Sequence, residues 1–147
     1  MGKRRKAREG ALQILYQIEF DDSEPESIIS QFWRGKKAPA EVKEYSRWLV
    51  LGITSQQSLL DRMIQSVSEH WRLSRMAIVD RNILRLALFE LIHEADLAPA
   101  IVINESIEIA KKFSSDQASQ FINGILDALR KQPDRIKELL KEDPNGE

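Results

Sequence analysis

Apolar positions recur along this chain at spacings of three and four, the period of a helix with one buried face. In the first segment Ala7, Ala11, Leu15 and Ile18 form such a stripe, widened by Leu12 and Ile14. Ser27 to Trp33 predicts a short helix between two loops, Asp-Asp-Ser-Glu-Pro-Glu at 21–26 and Arg-Gly-Lys-Lys-Ala-Pro at 34–39. From Ala40 to Ser66 one long stripe carries Val42, Tyr45, Leu49, Ile53, Leu60 and Ile64, and residues 68–76 predict a short irregular turn of helix. Val79 to Glu94 is apolar on most sides, with Ile83, Leu84, Leu86, Ala87, Leu88, Leu91 and Ile92, which is the pattern of a helix at the centre of a bundle.

Pro99 suits the first position of the next helix, where its missing N–H would be unpaired anyway. That helix runs to Phe113, and Ser114-Ser115-Asp116 then offers N-cap residues for another. The following stripe is Phe121, Ile122, Ile125, Leu126 and Leu129. Gly124 lies inside it and costs about 1 kcal/mol relative to Ala, which predicts a close helix–helix approach there. Pro133 closes this helix, and a last one is predicted from Asp134 to Lys141. No segment alternates with a period of two. The pattern predicts an all-α fold of about seven helices. It divides the chain into a basic arm at 1–8, a helical domain at 9–141 and a disordered tail at 142–147.

Composition changes this picture little. At 147 residues, 42% hydrophobic and 31% charged, the chain can bury a core without staples. It has no cysteine, which excludes disulfides and thiolate metal sites and fits a reducing cytoplasm. No uninterrupted apolar run predicts a signal sequence or a membrane span. Net charge is −1, but the charge is unevenly placed: residues 1–8 hold Lys3, Arg4, Arg5, Lys6 and Arg8 and no acid. A cationic cluster on a neutral chain, leading into an amphipathic helix, points to phosphate. The competing reading is a solvated terminus.

Enzyme constellations are missing from the pattern. There is no Gly-rich phosphate loop and no nucleophile elbow. His70 and His93 stand alone, without carboxylates at ligand spacing. Glu105 and Glu108 share a helical face beside Asn104, but without partner groups they read as structural carboxylates. Two aromatic residues stay open. Phe121 follows a polar helix start, so it is either core or a platform on which an unpaired base stacks. At the edge of its stripe, it is predicted to be partly exposed. Tyr16 is either core or a contact at an interface.

Four stretches then come into register: Arg4 to Gln17, Asp80 to Leu91, Ile103 to Lys111 and Phe121 to Leu126. Together they resemble the NusB family of bacterial transcription antitermination proteins along the whole chain, with 21–75 far less distinctive. The resemblance implies two packed three-helix sub-bundles, and with no enzyme or metal constellation in the residues no cofactor, metal or catalytic residue is expected. It implies binding to boxA-type RNA of ribosomal RNA leader transcripts. It further implies pairing with NusE, the ribosomal small-subunit protein, and action within the RNA polymerase antitermination complex. Carried onto this sequence, Arg4, Arg5, Lys6 and Arg8, with Lys3 beside them, match the RNA-binding arm. Phe121 and Gln117 match positions at the RNA, and Tyr16 and Asp80 match positions at the NusE contact. Asn104, Glu105, Asn123, Arg85 and Glu90 read as scaffold. Ser114 stands where glycine is common, a concern if the loop needs a positive φ.

Two other classes remain. A related helical domain precedes a methyltransferase in some RNA-modifying proteins, and residues 130–147 leave no room for one here. A protein-binding adaptor would leave the basic arm idle.

Overall fold

The computed structural model describes residues 2–68 and 70–142. The helical stripes become α1 (Gly2–Ile18), α2 (Pro25–Trp33), α3 (Ala40–Ser55), α4 (Gln57–Val67), a 3-10 turn (Leu73–Arg75), α5 (Ile78–His93), α6 (Pro99–Phe113), α7 (Asp116–Arg130) and α8 (Pro133–Glu142). No strand occurs among the described residues. No helix among them is long and apolar enough to cross a membrane.

The helices form two three-helix groups sharing one core. In the first, α1, α2 and α3 pack on one another; in the second, α5, α6 and α7 do so, with α4 and α8 against α7. α5 touches α1, α3, α4, α6 and α7, and every residue from Asn82 to Glu90 is buried. Its all-round apolarity therefore has the cause the sequence suggested.

The stripe from Ala40 to Ser66 is two helices, not one. Gln56 leaves the helical conformation (φ −113°, ψ 16°), and its N–H closes α3 on Gly52 and Ile53 carbonyls. The periodicity survives because Leu49, Ile53, Leu60 and Ile64 face the same core from both sides of the turn. The described residues thus form eight α-helices where about seven were predicted.

Three local predictions are corrected. Gly124 is exposed, and a Cβ there would meet nothing within 4 Å. The close approaches occur at Gly52, where a Cβ would lie 2.1 Å from Phe89 Cζ, and at Gly10, where one would lie 2.9 Å from Trp33. Ser114 has φ −129°, so the loop makes no use of the left-handed region. Pro133 opens α8 as well as ending α7. Of the predicted tail, Glu142 ends α8, and residues 143–147 lie outside the described residues.

Candidate nucleic-acid interface

The basic segment is helical from Gly2 onward, so it forms the first two turns of α1. Carboxylates on α3, on α6 and just past the end of α5 explain why it is held. Lys3 Nζ reaches Glu41 of α3 at 2.5 Å, Arg4 Nη1 reaches Glu94 at 3.2 Å, and Arg5 forks onto Glu105 of α6. The Arg4 guanidinium also lies 3.9 Å from the centre of the Tyr45 ring, a cation–π contact. Lys6 is exposed and makes no ion pair among the described residues.

Arg8 differs from the other four. Its side chain is 1% exposed and donates to both oxygens of Glu90 and to Glu105 Oε1. Glu90 also accepts from the Tyr45 hydroxyl. Burial, reinforced by that carboxylate, pushes the Tyr45 phenol well above its ordinary range. Arg8 is therefore a core ion pair in this structure and offers no N–H to a ligand outside. A signal for this was present: Arg8, Leu12 and Leu15 fall at spacings of four and three on the apolar face of α1. Glu90 sits inside the buried run of α5, and Glu105 lies between Val102 and Ile109 on the buried face of α6.

Farther along, α6 ends beside α1, where Lys112 Nζ lies 3.1 Å from Glu9. The chain turns through Ser114, and the Ser115 hydroxyl accepts from the Ala118 N–H, capping α7. The N-terminal turn of α7 then faces the loop around the 3-10 turn. There Phe121, half-buried, meets Trp71 edge to face, with ring centres 5.7 Å apart. Trp71 is 58% exposed. A cleft of about 360 Å³ is lined there by both rings with Arg75, Asp80, Ser115 and Gln117. Gln117 is exposed on its rim. The cleft offers what one unpaired base and its phosphate require: aromatic faces, amide and hydroxyl groups, a guanidinium and a helix N-terminus. Trp71, Arg75 and Lys112 were not singled out in the sequence, because each gains its neighbours only through the fold.

Tyr16 is exposed and tilts against Phe20 at 5.2 Å. It lines a shallow apolar groove with Leu12, Gln13, Gln17, Val79 and Phe113. Asp80 follows Val79 but lines the neighbouring cleft of Phe121 and Gln117. Tyr16 and Asp80 therefore line two different depressions.

The scaffold residues divide. Arg85 binds Asp61 through two N–H groups and also reaches Glu19 and Asn82, tying α5 to α4 and to the end of α1. Asn104 and Asn123 are exposed, and among the described residues neither side chain ties helices together. Glu108 forms an ion pair with Lys111 one turn on and also acts on the Arg5 guanidinium by charge, while Glu105 turns inward to Arg5 and Arg8. His93 bonds Gln56, and His70 is exposed.

A profile of the NusB family matches residues 5–131. The chain is 39% identical over 145 residues to a transcription antitermination protein NusB of Leptospira biflexa, covering 99% of this chain and 100% of that one. The solved structure of NusB from T. maritima is similar with a TM-score of 0.82 at 36% identity, over 92% of this chain and 96% of that one. A structure of the antitermination factors NusB and NusE in complex with double-stranded RNA matches with a TM-score of 0.80 at 28% identity, over 89% of this chain and 98% of that one.

Proposed function

The chain belongs to the NusB family, and on that premise we propose that it is an RNA-binding transcription antitermination factor. It binds boxA-type RNA of ribosomal leader transcripts together with NusE and helps RNA polymerase pass terminators. Its work is binding, with no catalytic step, and its place is the cytoplasm, where bacterial transcripts are made. The observation that carries this reading is the adjacency of cations and stacking groups on one chain. Lys3, Arg4, Arg5 and Lys6 occupy the start of α1, Lys112 is tied back to that helix at Glu9, and the turn after it leads into the Phe121–Trp71 cleft. A single strand running from arm to cleft would meet phosphate ligands first and a stacking site second. The groove at Tyr16, with an aromatic side chain in the open, suits the protein partner.

Titration of labelled boxA-type RNA at several salt concentrations tests the reading. If the four arm cations at the surface, Lys3, Arg4, Lys6 and the half-buried Arg5, meet phosphates, they contribute a log–log slope of about −3 for single-stranded RNA. Removing residues 2–6 flattens that slope. A slope unchanged by the deletion refutes the arm as a phosphate ligand. For the partner, Tyr16→Ala and Asp80→Lys should each reduce capture of NusE while the helical circular dichroism signal stays intact. Undiminished capture by both variants places the partner elsewhere.

A further inference from the structure

The RNA-binding reading leaves unexplained why a carboxylate lies directly beneath an arm arginine. Glu105 is nearly buried, with an 8% exposed side chain, while the Arg5 side chain above it is 42% exposed. Arg5 Nε donates to Glu105 Oε1 at 3.0 Å and Nη2 to Oε2 at 2.6 Å. This fork leaves three of the five guanidinium N–H bonds for other acceptors, one on Nη2 and two on Nη1. Glu105 is itself held from below, because Oε1 accepts from Arg8 Nη1 at 3.4 Å. Arg8 is fixed in turn by its two bonds to Glu90. A chain of directed bonds thus runs from the core, Glu90 to Arg8 to Glu105, and ends on one surface guanidinium.

Resting on the RNA-binding reading, we propose that Glu105 is a positioning residue for RNA: without touching the ligand, it locks the Arg5 guanidinium with its free N–H bonds turned to a phosphate. An arginine side chain has many rotamers, and freezing them on binding costs affinity. Arg5 is frozen beforehand. Charge alone argues the other way. In the chain Arg5, Arg8, Glu90 and Glu105 the two cations and two anions cancel, so this part of the surface draws phosphate by oriented donors and not by net charge. Arg5 holds Glu105 below the ordinary carboxylate range, first through its hydrogen bonds, so Glu105 is ionised throughout the neutral range.

The two readings of Glu105 differ in sign. If it is only a structural ion pair, Glu105→Gln removes a negative charge beside the phosphate and RNA binds as well or more tightly. As a positioning residue, its replacement weakens binding. The test titrates labelled single-stranded boxA-type RNA with the full chain and its Glu105→Gln and Arg5→Lys variants, across a salt series. Glu105→Gln should bind about tenfold more weakly with an unchanged salt slope, because no cation has been lost. Arg5→Lys keeps the charge but loses the fork, and should fall by a similar factor with the same slope. Binding by Glu105→Gln at or above the parent affinity overturns the proposal. Should that variant fail to fold, Arg5→Lys decides, and parental affinity there overturns it equally. If the parent chain itself binds no RNA, the underlying reading falls and the proposal with it.

Discussion

The Arg8 guanidinium donates to both oxygens of Glu90, Nε to Oε1 at 2.7 Å and Nη2 to Oε2 at 3.0 Å, and each side chain is 1% exposed. This pair joins α1 to α5 at the point where the basic segment becomes core. Neither charge can find water if its partner is removed. Arg8→Ala should therefore cost about 3–5 kcal/mol of stability, the usual loss when one member of a buried pair is deleted. Replacing both residues with apolar ones, Arg8→Met with Glu90→Leu, should cost less than either single change, because no uncompensated charge remains. Urea unfolding of the three variants checks this. An Arg8→Ala midpoint equal to that of the parent would show that the pair is solvated.

Two glycines in helices should respond oppositely to the same substitution. At Gly52 an added Cβ would lie 2.1 Å from Phe89 Cζ, so Gly52→Ala must displace a buried ring and should cost about 1–3 kcal/mol. At Gly124 nothing lies within 4 Å, and the helix is exposed there. Gly124→Ala should stabilise by about 0.5–1 kcal/mol, through helix propensity and a less disordered unfolded chain. Thermal melts of both variants decide. Destabilisation at Gly124 would reveal a contact that the folded chain does not display.

Phe121 is half-buried against the core and against Trp71, so it has both a structural and an open face. Phe121→Ala should lose less than the roughly 3–5 kcal/mol of a fully enclosed phenylalanine. It should also lose about 1–3 kcal/mol of RNA affinity, the usual worth of one stacked base. Measuring unfolding and RNA titration on the same preparation separates the terms. Normal RNA affinity in a strongly destabilised variant would assign the ring to the core alone.

Glu19 accepts from Arg81 at 2.6 Å and from Arg85 at 3.1 Å. Burial pushes its carboxyl upward, but the hydrogen bonds and charges of the two arginines outweigh that and hold it below the ordinary value. A carboxyl whose pKa is depressed by folding contributes stability that is complete above its unfolded pKa, about 4.3. That contribution disappears as pH falls through the lower, folded value. Glu19→Gln should therefore melt below the parent at neutral pH, and the gap should close in acid below about pH 4. A gap independent of pH would mean that packing, and not the ion pair, is what the substitution removes.

Much of the architecture was legible in the chain because helical period is a local property. The stripes on α1, α6 and α7 report which face is buried whatever they pack against. The all-round apolarity of Asn82 to Glu90, broken only by Asn82, Arg85 and Glu90, reports a central helix. Charge and pattern singled out the arm, Phe121 and Tyr16; resemblance in four registered stretches added the family, chose roles for those residues and brought in Gln117 and Asp80. The turn at Gln56 escaped detection because both helices it joins face one core, so the pattern carries no phase break there.

What only the tertiary structure decided is which charges meet. By sequence Arg8 is one of five cations in a row, and Glu90 and Glu105 lie 82 and 97 residues away. Contacts at that separation leave no periodic trace, and a charged residue on an apolar face has no local partner to reveal its role. The fold brings the three together, encloses Arg8 and leaves Arg5 on the surface above Glu105. It also sets Trp71 against Phe121 and ties Lys112 to Glu9, joining segments separated along the chain into one surface. Local period determines what each helix buries; the packing of α1 against α5 and α6 determines which cations remain available to a phosphate.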